Sequence, residues 1–581
     1  MMIEQKYRWK NKEIREQASV LDGIKEPTLL LTNATFLHSI LRMWRTANIW
    51  IYKDRIVYIG EKLPQSTTNC EVVDCTGYKL VPGYIEPHAH PFHIYNPVAF
   101  ANFAGQTGTT TLVNDNLALF LQNNQEKAFS FMKELNELPV STYWWTRFDS
   151  TTELKYESEI FSSGNIQAWL EHSRVVQGGE LTAWSQLLDG DDLLLYWVQE
   201  AKRLGKKVEG HFQHASDMTL AKMKLFGADS DHQALSGEDV YQRLLHGYSV
   251  LIQHSSLYAQ LPKILQEMNE LGIQQYDKIM LTTDGSSPAF YKDGLSDRLI
   301  KITLENGVPA IDAYHMVSYN VANHFNLLAH HGMIATGRIA HINFLEDEMN
   351  PTPVSVLAKG QWMKKEGKMI ETKSTIEWGK YGLSPLKKTW ELQSSDWQFS
   401  IPIGIEMTGE FETKPYQVKL DASREEIPED VDEHYFVYFD RKGKWKVNTL
   451  IKGFAKQLDG FASSFSSSGD FFVIGKSKQD MKLAFEKMRE IGGGVVLVEK
   501  GEVIFDMPLT IGGFMSDEEL PELFVIDETC RQLLKDRGFN YGDPFITLLF
   551  LTATYLPYFR ITQKGMYDVK NKNILLPALM R

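Results

Sequence analysis

Between residues 78 and 332, short apolar runs alternate with stretches in which apolar residues recur every three to four positions. The runs LVPGYIEPHAH, GTTTLVND, STYWWTRFD, RVVQGGEL, KVEGHF, ADSDHQ, YSVLIQHSS and KIMLTTDG are short, rich in β-branched and aromatic residues, and bounded by turn formers, so they read as strands. Intervening stretches such as QEKAFSFMKELNEL and GEDVYQRLLHG gather their apolar residues on one helical face. Eight strands separated by such helices over roughly 250 residues meet the requirement of a (β/α)8 barrel.

Outside this region the period changes. TLLLTNATFL, TANIWIYKDRIVYIGE and EVVDCTGYKLVPGYIEPH precede the barrel, and MIATGRIAHINFLED and VSVLAKGQWMKKEG follow it. All alternate like strands of a small sheet, and joining the two sets gives a β-sandwich assembled from both sides of the barrel. Beyond residue 376, DFFVIGKSKQDMKLAFEKMREIGGGVVLVEKGEVIFDMPL reads strand, helix, strand, strand. The expected division is therefore 1–77 (N-terminal extension and first part of the sandwich), 78–332 (barrel), 333–375 (second part) and 376–581 (α/β domain). KNKEIREQASVL has helical spacing, while the acidic REEIPEDVDE and the serine-rich ASSFSSSG read as a solvated loop and a turn.

Composition narrows the function. The 581 residues, 43% of them hydrophobic, support more than one core. A net charge of -13 without a Lys/Arg cluster disfavours a phosphate-tracking nucleic-acid surface. Three cysteines, Cys70, Cys75 and Cys530, are too few for a disulfide framework and fit a reducing compartment. No signal-length or membrane-spanning apolar run occurs, so a cytoplasmic protein acting on a small molecule, with no membrane partner, is expected. Base rates for large hydrolases point to a symmetric dimer.

The candidate chemistry sits at predicted strand ends. His88 and His90 in Pro82-Gly83-Tyr84-Ile85-Glu86-Pro87-His88-Ala89-His90 lie two apart on a strand and face the same side. Glu180, His211, His232 and Asp284 close four later strands. Strand C-terminal ends converge in a barrel of this kind, and four imidazoles with two carboxylates suit one or two divalent ions: manganese, iron(II) or zinc. Glu180 would bridge two ions, and Asp284 would act as general acid/base toward an ion-activated water. His254 at a seventh strand end is read as structural. Around the centre, His93, Asn114, Asp115 and Asn116 are candidate substrate-binding groups. Trp144, in the run Tyr143-Trp144-Trp145-Thr146-Arg147-Phe148, is a candidate for stacking a planar ligand.

With these motifs in place the chain resembles the adenine deaminase branch of the amidohydrolase superfamily, and Ile491 to Glu518 is similar to that branch's C-terminal region. The likeness covers almost everything after residue 28. It implies hydrolysis of adenine to hypoxanthine and ammonia at a two-metal centre held by His88, His90, Glu180, His211, His232 and Asp284. Some positions depart from the family pattern. Pro91-Phe92-His93-Ile94 replaces Ile-Glu-Ser-Ser, and Asn114-Asp115-Asn116-Leu117 replaces Asp-Pro-His-Glu. Gln233 stands for a Glu, Gly285 for a second Asp, and Ser466-Ser467-Ser468-Gly469-Asp470 for a His-Asp-Ser-His-Asn run. Because pocket groups set specificity, two other readings stand beside adenine deamination. One is an amidohydrolase acting on another amino-heterocycle or a cyclic amide. The other is a metal-binding protein without turnover.

Overall fold

In the computed structural model, which describes residues 9–122, 124–370, 376–399 and 402–581, the eight predicted barrel strands form one sheet in chain order. They are β1 (Tyr84–Ala89), β2 (Thr109–Asn114), β3 (Ser141–Thr146), β4 (Val175–Leu181), β5 (Lys207–Gly210), β6 (Ser230–Asp231), β7 (Ser249–Gln253) and β8 (Ile279–Thr282). Each neighbouring pair is parallel, and helices such as Gln125–Leu135 and Gly237–Leu245 cover the outside.

A buried carboxylate ties the first strand to the last. Glu86 Oε1 accepts from Thr282 Oγ1 at 2.5 Å and from the His88 N–H at 3.1 Å. Its Oε2 accepts from the Thr283 N–H at 3.1 Å and from Thr283 Oγ1 at 3.0 Å. Burial lifts Glu86 to about 7 against the pull of these donors. Below the strand tops the barrel is filled by Ile85, Val113, Tyr143, Trp145, Val176, Leu251 and Met280, all buried, so it is a packed core and not a pore.

The LVPGYIEPHAH run splits at Gly83. Lys79–Pro82 pairs antiparallel with Ile342–Leu345 and parallel with Leu29–His38, and so belongs to the flanking nine-stranded sheet. The chain passes from sheet to barrel there, beyond the expected break at 77/78. A side chain at Gly83 would meet Thr110 Oγ1 at 2.1 Å, so only glycine lets the strand turn that close to its neighbour. That sheet recruits strands from both sides of the barrel, 29–82 and 342–369. The expected break at 375/376 abuts residues 371–375, outside the described residues.

A second nine-stranded sheet builds the third region. It contains Phe471–Gly475, Gly494–Glu499 and Glu502–Pro508, with the helix Lys478–Glu490 between the first two, as the pattern predicts. Two later helices, α1 (Leu520–Asp536) and α2 (Pro544–Phe550), lean on the barrel mouth. Arg531 on α1 pairs with Asp527 at 2.7 Å and Asp543 at 2.8 Å and donates to Ser287 in the loop after β8. Asp543 in turn caps α2, accepting from the N–H groups of Phe545 and Ile546 at 3.0 and 3.2 Å. The third domain is thereby pinned over the strand ends.

Candidate metal centre and its cavity

The six predicted donors converge. His88 Nε2 and His90 Nε2 are 3.1 Å apart, and Asp284 Oδ1 lies 3.2 Å from His90 Nε2 and 3.6 Å from His88 Nε2. Glu180 Oε2 is 4.0 Å from His88 Nε2. Glu180 Oε1 faces His232 Nε2 at 3.3 Å and touches His211 Nδ1. Two triads, His88/His90/Glu180 and Glu180/His211/His232, thus share one carboxylate. Asp284 reaches the first of them from a backbone with φ 51°, a left-handed conformation that Asp tolerates better than bulkier residues. The Asp284 N–H donates to Thr282 Oγ1 at 3.0 Å.

Proton bookkeeping shows what this cluster accommodates. His88 Nδ1 and His232 Nδ1 lie 3.0 and 2.8 Å from Glu209 Oε1, and His90 Nδ1 lies 3.1 Å from Asp115 Oδ2. An ionised carboxylate only accepts, so each ring carries a proton on Nδ1, and in its neutral form presents a lone pair at Nε2. Burial opposes ionisation of Glu209, but His88 and His232 outweigh it and hold it at about 2. Burial likewise opposes charge on Glu180, yet Arg147 and His211 keep it well below the usual carboxylate range. The three rings therefore aim Nε2 at one another and at two carboxylates; without a cation those carboxylates hold protons on His90, raised to about 9, and on His232, raised well above its ordinary value, positive charge in the place that divalent ions would fill. A third grouping, His88/Glu209/His232, lies one layer deeper. Its short contacts run through Nδ1–H, so Glu209 orients the ligands from behind.

The centre opens into a cavity of about 170 Å³. One wall is barrel: His93, Asp115, Arg147, Thr182, Gln213, Gln233 and Gly285. The other is the third domain: Phe411, Phe465, Ser466, Ser467, Gly469, Phe514, Ile546, Leu549, Phe550 and Tyr555. Tyr555 stands edge-on to His211 at 5.1 Å between ring centroids, and Phe411 stacks on Tyr258 at 5.6 Å. The serine run is indeed a turn, and it forms part of this wall.

Positions that depart from the family pattern meet at this cavity and are packed against one another. His93 lies parallel to His90 at 5.1 Å and 17°, and a Cβ on Gly285 would come within 2.7 Å of His93 Cε1. The glycine makes room for the histidine. Burial, aided by the charge of His90, depresses His93 to about 3, so it faces the cavity neutral.

Two candidate contacts are corrected. Trp144 is fully buried beside Phe92, with ring centroids 6.2 Å apart, and Asn114 is buried at the end of β2; neither lines the cavity. The reason is strand parity. Val113 on β2 with Asp115 just after its end, and Tyr143 and Trp145 on β3 with Arg147 just after its end, face inward, which turns Asn114 and Trp144 toward the helices. Trp145 instead packs under the metal centre, stacked on His88 at 4.4 Å. Asn116 is spent on Arg147, whose N–H its Oδ1 accepts at 3.1 Å. His254 is buried near Phe290 and outside the cavity lining.

The sequence reading missed Glu86, Glu209 and Arg147. The first two stand two residues before His88 and His211, on the same strand face, one layer down; Glu-x-His was the available clue. Arg147 follows from the inward parity of Tyr143 and Trp145.

These features describe a hydrolase of the metal-centred barrel class, and comparison with known proteins agrees. The amidohydrolase family matches residues 80–363, and the adenine deaminase C-terminal domain matches residues 410–573. A protein of Halalkalibacterium halodurans named "Putative adenine deaminase" is 50% identical over 581 residues, all of both chains. A Bacillus subtilis protein named "Adenine deaminase" is 25% identical over 542 residues, covering 90% of this chain and 93% of that one. Among solved structures, a β-aspartyl dipeptidase from Fervidobacterium islandicum AW-1 is similar at 18% identity and TM-score 0.46, covering 59% of this chain and 99% of that one. The chain belongs to the adenine deaminase family of amidohydrolases, and it is an enzyme that hydrolyses carbon–nitrogen bonds. Among the described residues no helix is long and apolar enough to cross a membrane.

Proposed function

We propose that the protein is a hydrolytic deaminase that converts adenine and water to hypoxanthine and ammonia. The observation that carries this reading is the shared-carboxylate double triad facing a small cavity roofed by aromatic and aliphatic side chains. Two divalent ions held by His88, His90, Glu180, His211, His232 and Asp284, manganese or iron(II) before zinc, would supply the Lewis acidity that makes water nucleophilic near neutral pH.

The chain's own groups supply the rest. Asp284 is kept ionised: burial opposes its charge, but His90 and the neighbouring imidazoles outweigh it and hold it far below the usual carboxylate range. It therefore starts as a base, takes the proton of the attacking water, and returns it to the departing amino nitrogen. Glu209 fixes the tautomers of His88 and His232, and Asp115 fixes that of His90. His93 meets the substrate from the barrel side, Asp115 being spent on Arg147 and His90, while Phe465, Phe550 and Tyr555 exclude bulk water from the other. Three free cysteines fit a reducing, cytoplasmic setting, purine metabolism follows from adenine as substrate, and a homodimer is the expected assembly.

The test is ammonia release from adenine by protein purified with manganese, and separately with iron(II) under anaerobic reducing conditions, with His88→Ala as control. Release absent from the control is expected. No release from a metal-replete protein rejects adenine, and a panel of amino-heterocycles and cyclic amides then finds the substrate that the remodelled wall admits.

A further inference from the structure

Apart from the six clustered donors, Asp115 and Arg147 are the charged side chains lining the cavity among the described residues. Asp115 has no capacity to spare for a ligand. It accepts from Arg147 Nε at 3.0 Å and Nη2 at 2.7 Å, and its Oδ2 also faces His90 Nδ1 at 3.1 Å. Arg147 is different. Its side chain is 2% exposed, its Nη2 also lies 2.8 Å from Glu180 Oε2, and its Nη1 is buried with no hydrogen-bond partner among the described residues.

A guanidinium keeps all its protons and only donates, and a buried donor without an acceptor is costly. Nη1 belongs to the guanidinium whose Nη2 meets Glu180, the carboxylate common to both triads, on a residue that lines the cavity, and so lies close to the point where a substrate's reacting carbon must lie. When water adds to an amino-bearing ring carbon, the new C–O bond forms as the ring C=N π pair moves onto the flanking nitrogen. The water's proton goes to Asp284. The nitrogen's pair then re-forms the double bond as the C–NH₂ bond breaks, and the proton leaves with ammonia. Negative charge builds on the flanking nitrogen only between these events, and a fixed cationic donor aimed there stabilises it selectively.

We propose, on the basis of the deaminase reading, that Arg147 is a catalytic residue whose Nη1 donates to the ring nitrogen flanking the attacked carbon. Binding separates this contact from turnover. Manganese-loaded Asp284→Asn protein would be titrated calorimetrically with adenine, with 1-deazaadenine, which has CH at that nitrogen, and with 3-deazaadenine, altered at a remote one. The 1-deaza compound is expected to bind roughly 10- to 100-fold more weakly than adenine, as for loss of one charge-assisted hydrogen bond, and the 3-deaza compound much as adenine does. Adding Arg147→Met should close the gap between adenine and 1-deazaadenine, and Arg147→Lys should restore part of it; metal content, measured on each variant, should be unchanged.

Equal binding of adenine and 1-deazaadenine by the arginine-containing protein overturns the proposal without any Arg147 variant, so a misfolded variant cannot hide the answer. A gap that persists undiminished in a metal-replete Arg147→Met protein overturns it as well. Ammonia release by wild type without dependence of binding on that nitrogen rejects this role and leaves the deaminase reading standing. Nitrogen-dependent binding with no ammonia release supports the contact and rejects the reaction.

Discussion

The barrel carries histidine clusters at both ends, and the two behave in opposite ways. At the strand C-termini, His88, His90, His211 and His232 are met by carboxylates. At the N-terminal end, His331 and His341 stack at 5.4 Å and 20° but meet hydroxyls: His331 with Thr111 at 3.3 Å and Tyr143 at 2.9 Å, and His341 with Ser141 at 3.0 Å. Lys359 lies nearby, its ammonium donating to the carbonyls of Asn136 and Leu138 and lowered by burial to about 7. Burial first, and then neighbouring positive charge such as that of Lys359, sets the lower pair, holding His341 at about 3 and His331 well below its ordinary value. In the upper cluster carboxylates overcome burial and raise His90 to about 9 when no cation is bound. What an imidazole does is decided by its second partner, not by its residue type or depth.

The contrast can be broken from the top first. His88→Ala should lower turnover by on the order of 10⁴-fold or more, with loss of bound metal by elemental analysis; turnover within a few-fold of wild type would remove this centre from the reaction. Asp284→Asn should cost between about 10² and 10⁴ in kcat while the imidazoles keep most of the metal. Glu209→Gln, which touches no substrate, should weaken metal affinity or activity by roughly 10- to 100-fold, and an unchanged metal titration would refute its orienting role. At the other end, His331→Ala should leave activity per folded molecule intact. It strands the buried Tyr143 hydroxyl and should cost about 1–3 kcal/mol of stability, read as a lower Tm.

Acidity separates the two ends by sign. For His341, whose folded value of about 3 lies below its ordinary 6.5, stability is fully present above 6.5 and is lost as pH falls toward 3. For His90, raised to about 9 in chelator-treated protein, stability is fully present below 6.5 and is lost as pH rises through 9. Thermal melts of metal-free wild type, His341→Ala and His90→Ala across pH 4–10 should show each variant flattening its own limb of the profile; the same limb flattening in both would sink the comparison.

Much of this is legible in the sequence alone, because the residues involved obey local rules. All eight strands were readable from runs such as STYWWTRFD and KIMLTTDG, and the donors from their places at strand ends. Legibility failed where parity or long-range packing decides. Trp144 and Asn114 look chemically suited to a ligand, but the pleat turns them outward. Gly83 ends one sheet and begins another inside a single apolar run. The partnership of His93 with Gly285 joins residues nearly two hundred positions apart, and no periodicity in the chain announces it.

The position of the Ser466–Gly469 turn and of α2 has a consequence for inheritance. The six clustered donors are encoded in one stretch of chain, and part of the cavity wall that faces them is encoded in another, with its own sheet. Exchange of the segment after residue 376 between relatives would transplant a preference without touching the reaction. A lineage can thus explore new substrates by drift in a region where mistakes leave the chemistry intact.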